Sequence, residues 1–191
     1  CQKIYKEIEE KLGKVTILVN NAGKISDNLF LLLEESDWQD VMGTNLMGPV
    51  NASKTVIRNM MGKRAGRIIN ISSVSAVRSS PGTAAYGAAK AGLLNATQSL
   101  AMEWGPKIRV NGLVVGLVYH PAGEAHYGGA EGFKRVADML PMGRMAEPAD
   151  IAKAVVYLCS DEAFYVSGAS LEVHGGGEVP VFLHLAKEAG E

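Results

Sequence analysis

The sequence predicts an α/β fold, a doubly wound parallel sheet with helices on both faces. Short runs of β-branched and other apolar residues alternate along the chain with longer segments of helical periodicity. Parallel strands need a crossover between them, and a helix is the usual crossover, so this alternation is typical of a parallel sheet. Clusters of asparagine, serine and glycine follow the strands, where such sheets bind their ligands.

Each element is predicted from its local pattern. Strands are expected where short apolar runs end in polar or glycine residues, at 15–19, 66–73, 108–115 and 170–174. Helices are expected where apolar residues recur at helical spacing, at 2–12, 36–61, 84–104, 133–139 and 148–159. Gly13 ends the first helix, and Ser36 is the expected N-cap of the second. Loops are expected at 24–35, 74–83 and 119–130, and we expect the last to be mobile.

The composition excludes several classes of protein. The chain has 191 residues, a size that fits one domain, and 47% of them are hydrophobic. Its 19 basic and 20 acidic residues give a net charge of −1, which favours neither a nucleic-acid nor a membrane-surface partner. The two cysteines and four histidines show no metal-ligand spacing, so no metal site is expected. We expect a cytoplasmic protein that neither spans nor binds a membrane.

Tyr86 and Lys90 are the first candidates for chemistry. At positions i and i+4 of a helix they lie on one face, about one turn apart. A neighbouring cation favours the charged form of a phenol, so Lys90 is predicted to lower the pKa of Tyr86 and make it a usable acid or base. Taken alone, such a pair is also common on protein surfaces.

Polar clusters follow three of the predicted strands. They are Asn20-Asn21-Ala22-Gly23, then Ser72-Ser73, and then the segment from Gly116 onward. Because the carboxyl ends of parallel strands lie at one edge of the sheet, we expect all three to converge on one crevice with Tyr86 and Lys90. Plain turns, a strand-end cap at Ser73 and an exposed Asn45 are the ordinary alternatives. A serine hydrolase is disfavoured because the serines lack a Gly-x-Ser-x-Gly elbow.

Together these segments resemble the short-chain dehydrogenase/reductase family. The residues that carry the resemblance are Asn20-Asn21-Ala22-Gly23, Asn45, Ser73 with Tyr86 thirteen residues later, Lys90, Arg109-Val110-Asn111, Ser167-Gly168 and His174-Gly175-Gly176. The resemblance implies a Rossmann-like sheet and an NAD(P)-dependent oxidoreductase that interconverts a carbonyl and a secondary alcohol.

The resemblance also implies the catalytic roles. Tyr86 is the general acid in reduction and the base in oxidation, and Lys90 lowers its pKa and binds the cofactor ribose. Ser73 hydrogen-bonds the substrate oxygen and stabilises the charge that develops on it. Asn45, in a kinked helix, holds a water that joins Lys90 to a proton relay.

A nicotinamide cofactor, NADP or NAD, is implied by the same resemblance, with NADPH favoured. The residues expected to bind it are Asn20, Ala22, Gly23, Tyr86, Lys90, Val115, Gly116 and Val118. The strand end that normally decides between the two dinucleotides is not in this chain. The chain departs from the family pattern at Val115, where a proline is usual, and at His120, where many members carry threonine.

Residues 1–191 are expected to form one domain that lacks the family's first strands. The glycine-rich phosphate loop is expected before Cys1, within roughly 60–80 further residues. We expect no cofactor binding by a protein that truly lacks them.

The substrate and the partners are also inferred from the resemblance. Asp27-Asn28-Leu29 and the segment from Arg64 to Ile71 resemble the 3-oxoacyl reductases of fatty acid biosynthesis. This implies an acyl-carrier or CoA thioester substrate, with Arg64 and Lys107 near the active-site mouth as contacts for an acidic carrier protein. A secondary-alcohol, sugar or steroid dehydrogenase is the alternative enzyme, and a non-catalytic dinucleotide sensor is the alternative of another class.

A homotetramer is expected, with a dimer as the second choice. In the family, the helices that correspond to 36–61 and 84–104 pack against their copies. Small residues in the second of these helices allow a close approach: Ala84, Ala85, Ala88, Ala89, Ala91 and Gly92. The ordinary alternative is that they pack this helix on its own sheet.

Overall fold

The computed structural model describes residues 1–63, 66–121 and 123–177. The strands are β1 (Ile17–Asn20), β2 (Gly66–Ser73), β3 (Ile108–Val115) and β4 (Ser170–Val173). The helices are α1 (Gln2–Leu12), α2 (Glu35–Met42), α3 (Gly48–Lys63), α4 (Ala84–Trp104), α5 (Gly123–His126), α6 (Ala130–Asp138) and α7 (Pro148–Cys159). Short 3₁₀ turns occupy Phe30–Leu32, Val74–Ala76 and Asp161–Ala163, and a π-helical turn occupies Gly43–Met47.

The strands form one parallel sheet in the order β1-β2-β3-β4, flanked by helices. β1 pairs with β2 so that Ile17 lies opposite Arg67 and Asn20 lies opposite Asn70. Every residue of β3 is buried, as expected for a strand inside a parallel sheet. The predicted α/β class with a Rossmann-like parallel sheet is confirmed.

The chain divides into two compact units. The first consists of Cys1–Val114 and Ala154–Glu172, and the second of Val115–Lys153 with the described residues from Val173 onward. One core of the first unit packs around Met60, Ile68 and Val110, and a smaller one around Val41, Ala85 and Ala89. The second unit has a core of Ala137, Leu140 and Met145. The single-domain assignment stays a prediction.

Most predicted elements agree with the structure at both ends, namely α1, β2, α4, β3 and α7. The continuous helix predicted over 36–61 is wrong in one respect, because the π turn at Gly43–Met47 interrupts it. It also begins one residue earlier, at Glu35 rather than after a Ser36 cap. The reason is that the backbone N–H of Glu34 donates to the Asp37 carboxylate at 3.0 Å, so the cap lies at Glu34.

The remaining differences are small, apart from one helix. β1 begins at Ile17 and continues to Asn20, β4 ends at Val173, and α6 begins three residues earlier than predicted. The segment 119–130 was expected to be a loop, but Gly123–His126 forms a short helix. Among the described residues, no helix is both long enough and apolar enough to cross a membrane.

Gly116 sits where the chain leaves β3 and no side chain fits. Its N–H donates to the carbonyl of Val173 at 3.1 Å. A Cβ at this position would lie 2.7 Å from Cβ and 2.8 Å from Cα of His174. The close backbone approach therefore requires glycine.

We expect Gly116→Ala to lower the free energy of unfolding by about 1–3 kcal/mol, since the new methyl group overlaps the backbone of His174. Urea titration measures this. Gly62→Ala is the matched control, because Gly62 lies in α3 with no heavy atom within 4 Å of a Cβ. The control should be as stable as the wild type or gain up to about 1 kcal/mol. Equal stability of Gly116→Ala and the wild type would contradict the close approach.

Candidate active site

Tyr86 and Lys90 lie on one face of α4, as their spacing predicts. The Lys90 Nζ lies over the Tyr86 ring, 5.6 Å from its centroid, within the range of a cation–π contact. Tyr86 packs against the small core of Val41, Ala85 and Ala89.

Lys90 is almost completely buried, with 3% of its surface exposed. Its Nζ donates a 2.8 Å hydrogen bond to the carbonyl of Ile71, near the carboxyl end of β2. Burial disfavours the charged ammonium and lowers the pKa of Lys90 to about 8. Lys90 therefore still carries its charge at neutral pH and loses it in mildly alkaline solution.

Burial also controls the phenol of Tyr86. It raises the pKa of Tyr86 above its ordinary value of 10.0, and the negative charge of Asp27 adds to the rise, while the hydroxyl of Ser73 opposes it. The prediction that Lys90 lowers the pKa of Tyr86 is therefore wrong for this structure. Desolvation outweighs the other effects, and the Lys90 ammonium lies over the ring of Tyr86. The phenol is protonated at neutral pH and is a proton donor.

The two serines at the end of β2 face different neighbours, because successive side chains of a strand alternate. Ser72 is buried, and its Oγ donates to the carbonyl of Lys90 at 3.1 Å, which ties α4 to the strand. Ser73 is partly exposed and lies beside Tyr86, and its Oγ accepts a hydrogen bond from the Ser75 N–H at 3.2 Å. A hydrogen bond between the Ser73 and Tyr86 hydroxyls opposes the rise in the pKa of Tyr86, so the two hydroxyls lie side by side.

Asn45 lies inside the π turn and is completely buried. Its Nδ2 donates to the carbonyls of Val41 at 2.9 Å and Lys24 at 2.6 Å, and its Oδ1 accepts from the Lys24 N–H at 3.3 Å. The amide thereby joins the interrupted helix to the segment after Asn-Asn-Ala-Gly. π-helical turns are frequent at functional sites.

Gly23 brings three of the predicted residues together. A Cβ on Gly23 would lie 3.2 Å from the Asn45 Oδ1 and 3.8 Å from the Lys90 Nζ. The backbone that follows β1 therefore passes close to both side chains. Within the first unit, the expected convergence of the first two polar clusters with Tyr86 and Lys90 is observed, and Asn45 lies there as well.

The side chain of Asn20 has a structural partner. Its Nδ2 donates to Asn70 Oδ1 at 2.8 Å, and the Asn70 Nδ2 donates to Thr97 Oγ1 at 2.8 Å. All three residues are buried, so this network joins β1, β2 and α4. Asn70 and Thr97 were not among the residues predicted from the sequence, although a polar residue within the apolar run Ile68-Ile69-Asn70-Ile71 is a signal for such a network.

The other residues predicted to bind the cofactor or a carrier protein come from other parts of the chain than the residues grouped around Lys90. Val115, Gly116 and Val118 belong to the second unit, where Val118 forms an isolated parallel bridge with Ala146. Arg64 lies outside the described residues. Lys107 precedes β3 and so lies at the amino edge of the sheet, whereas Ser73 lies at the carboxyl edge. Within one chain, the expectation that Lys107 flanks the active-site mouth is wrong.

Three comparisons place the chain among known proteins. The family model described as enoyl-(acyl carrier protein) reductase matches residues 1–178. The 3-oxoacyl-(acyl-carrier-protein) reductases FabG of Vibrio cholerae and Escherichia coli are each 40% identical over 178 residues, covering 92% of this chain and 71% of theirs. The FabG reductase of Thermotoga maritima is 34% identical over 176 residues, covering 92% of this chain and 71% of its own.

A solved structure gives the same result. The gluconate 5-dehydrogenase of Burkholderia cenocepacia, in complex with NADP and tartrate, superimposes with a TM-score of 0.85 and 31% identity. The match covers 92% of this chain and 69% of that one.

The chain therefore belongs to the short-chain dehydrogenase/reductase family. It is an oxidoreductase of this NAD(P)-dependent class, as the sequence analysis predicts.

We expect Asn70→Leu to lower the free energy of unfolding by about 2–3 kcal/mol. The change removes the shorter of two acceptors of the buried Asn20 amide and leaves the Thr97 hydroxyl only its bond to the carbonyl of Leu93. Losing a buried hydrogen-bond partner costs about 1–3 kcal/mol. Urea titration at neutral pH measures it. Asn51→Leu, at an exposed position of α3, is the control and should stay within about 0.5 kcal/mol of the wild type. A neutral Asn70→Leu would show that the network does not stabilise the fold.

Lys90 should make stability depend on pH in the alkaline range. Its pKa is about 8 when folded and has an ordinary value of 10.5. Between these values the unfolded chain binds more protons, so stability should rise with pH, and below pH 8 the full cost of burying the ammonium remains. Urea midpoints from pH 7 to pH 10 should therefore rise in the wild type and less in Lys90→Met.

Lys54→Met, at an exposed position of α3, is the control and should keep the wild-type pH dependence. An unchanged rise in Lys90→Met would contradict the assignment of this effect to Lys90.

Proposed function

We propose that the protein reduces a 3-oxoacyl thioester to the 3-hydroxyacyl thioester with a nicotinamide cofactor. The observation that carries the proposal is the partly buried, protonated phenol of Tyr86 beside the hydroxyl of Ser73, with Lys90 one turn away. The substrate class is supported by three relatives named 3-oxoacyl-(acyl-carrier-protein) reductase at 34–40% identity.

In this reaction Tyr86 donates its proton to the ketone oxygen. A phenol whose pKa is raised by burial stays protonated at neutral pH, so it is ready to act as the acid of a reduction. The Ser73 O–H donates a hydrogen bond to the same oxygen and stabilises the negative charge that develops there. Because both groups are fixed at the ends of α4 and β2, they need little rearrangement when the charge develops.

The residues around Lys90 suit the ribose of the cofactor. An ammonium has three N–H donors, and the Lys90 Nζ uses one on the carbonyl of Ile71, which leaves others for ribose hydroxyls. The absence of a side chain on Gly23 keeps the space beside Lys90 and Asn45 open. When bound, the dinucleotide supplies the hydride. NADP is favoured, since the matched gluconate 5-dehydrogenase structure holds NADP.

Other residues complete the proposed binding set. Ala22 and Gly23 contribute through the backbone after β1, and Asn20 does so as well, because its side chain is engaged by Asn70. Val115, Gly116 and Val118 are proposed from the family resemblance alone. Asn45 is proposed to position a water for return of the proton to Tyr86, a role that its place in the π turn supports.

Three further properties are proposed: the substrate class, the cellular location and the oligomeric state. We propose an acyl-carrier or CoA thioester as substrate and a cytoplasmic location, which two free cysteines support. We propose a homotetramer assembled in part through α4. Five of its exposed residues recur on one stripe of the helix, namely Ala84, Ala88, Asn95, Gln98 and Met102. Two of them are alanines, which allow two helices to approach closely.

A sugar-acid dehydrogenase is the second candidate, because the structural neighbour is a gluconate 5-dehydrogenase. The charge near Tyr86 argues against it. Asp27 is close enough to affect the phenol, and its carboxylate would repel an anionic substrate.

We expect Tyr86→Phe to reduce kcat/KM for acetoacetyl-CoA reduction by about 10²–10⁴-fold while NADPH binding, followed by nicotinamide fluorescence, is retained. The phenylalanine keeps the ring against the core but has no proton to donate. Tyr157→Phe, at an exposed position of α7, is the matched control and should retain activity. Undiminished turnover by Tyr86→Phe would refute the assignment, and lost NADPH binding would show a structural role instead.

A further inference from the structure

We propose that an exposed apolar segment beside Tyr86, Leu29–Leu32, binds the hydrocarbon chain of the substrate and favours longer chains. We name it the apolar ledge. The proposal rests on the proposed function and goes beyond it, because it assigns the residues that discriminate between substrates of different length.

The ledge is an unusual surface. Phe30 is 70% exposed and Leu31 is 93% exposed, and Leu29 and Leu32 are exposed as well. Four consecutive large apolar side chains in contact with water form a continuous patch, and such patches mark binding sites more often than isolated apolar residues do. The ledge contains no charged or polar side chain.

The backbone of the ledge is held in place. The N–H of Asn28 donates to the carbonyl of Gly82 at 3.1 Å, and the N–H of Leu32 donates to the carbonyl of Leu29 at 2.8 Å. The ring of Phe30 meets the ring of Trp38 edge to face, with 6.1 Å between centroids. These contacts fix a 3₁₀ turn that directs its remaining side chains outward. The exposure is therefore a property of an ordered turn.

Both ends of the ledge lead to the candidate active site. After it, Leu33 packs with Trp38 and Tyr86 around the same core of Val41, Ala85 and Ala89. Before it, Asp27 is close enough for its charge to act on the phenol of Tyr86. All of these residues belong to the first unit. A substrate whose ketone meets Tyr86 has the ledge next to it.

The chemistry of the surface selects the ligand. A hydrocarbon chain gains from covering apolar side chains, whereas a sugar acid would lose hydration there and meet the charge of Asp27. Four residues in a 3₁₀ turn span about 8 Å, which is enough to contact several methylenes. Full burial of one methylene corresponds to about a fourfold gain in affinity, and half burial, as on an open surface, to about twofold.

The experiment measures kcat/KM for reduction of 3-oxoacyl-CoA thioesters with chains of four to ten carbons. We expect the wild type to improve about twofold for each methylene that contacts the ledge. Leu31→Ser and, separately, Leu29→Ser should reduce the ratio of kcat/KM between the longest and the shortest substrate. Both residues are exposed, so neither change should disturb the core.

Val156→Ser is the matched control. Val156 is 67% exposed and lies in α7, so the change removes an exposed apolar side chain away from the ledge. The control should leave the ratio of kcat/KM between the longest and the shortest substrate at the wild-type value. The molar mass of each protein, measured by light scattering, shows whether the assembly has changed.

Three results would overturn the proposal. A ratio that does not fall in either leucine variant would show that the chain does not lie on the ledge. A changed molar mass of Leu31→Ser would assign the ledge to a subunit interface instead. Failure of the wild type to reduce a thioester of any length, with cofactor bound, would refute the proposed function itself, and the ledge assignment with it.

Discussion

The hydrogen bond from the buried ammonium of Lys90 to the carbonyl of Ile71 is the contact on which the candidate site depends. It joins the first half of α4 to the carboxyl end of β2, and Ser72 makes a second link between the same two elements. Because the backbone on both sides is regular, these two bonds set where Ser73 and Tyr86 stand relative to each other. Gly23 then brings the end of β1 against the same ammonium.

Burying this ammonium has a cost that the surrounding structure must offset. The low pKa of Lys90 shows that its environment favours the neutral form, and among the described residues no carboxylate forms an ion pair with it. The Lys90 ammonium thus keeps N–H groups that a ligand could bind, although burying it there lowers the stability of the fold. Such opposition between stability and activity is common at active sites.

The protonation of Tyr86 follows from the same burial. A phenol removed from water holds its proton more tightly, and the negative charge of Asp27 strengthens this. The phenol is therefore in its protonated form at neutral pH, which is the form that the acid of a reduction must have. The adjacent apolar ledge fits a substrate with a hydrocarbon chain. The proposed acid, Tyr86, and the proposed chain-binding residues, Leu29–Leu32, therefore both belong to the first unit.

Local patterns in the sequence determined most of the fold. The apolar run 66–73, the alanine-rich segment 84–104 and the uniformly apolar 108–115 each predict one element, and the structure has them at those bounds. The spacing of Tyr86 and Lys90 predicts a shared helix face, and that too is observed. Periodicity could not reveal the π turn at Gly43–Met47, because its stabilising bonds from Asn45 reach Lys24, 21 residues away.

The tertiary structure alone decided the electrostatics. From the sequence, Lys90 is a cation next to Tyr86, and the expected effect is a lower pKa of the phenol. Only the packed structure shows that both groups are removed from water, and desolvation then reverses the direction for Tyr86. Likewise, the sequence supplied Asn20 as a candidate ligand contact, but folding turns its amide toward Asn70. Residue type and spacing determine which groups can meet, whereas burial and partners depend on the whole chain.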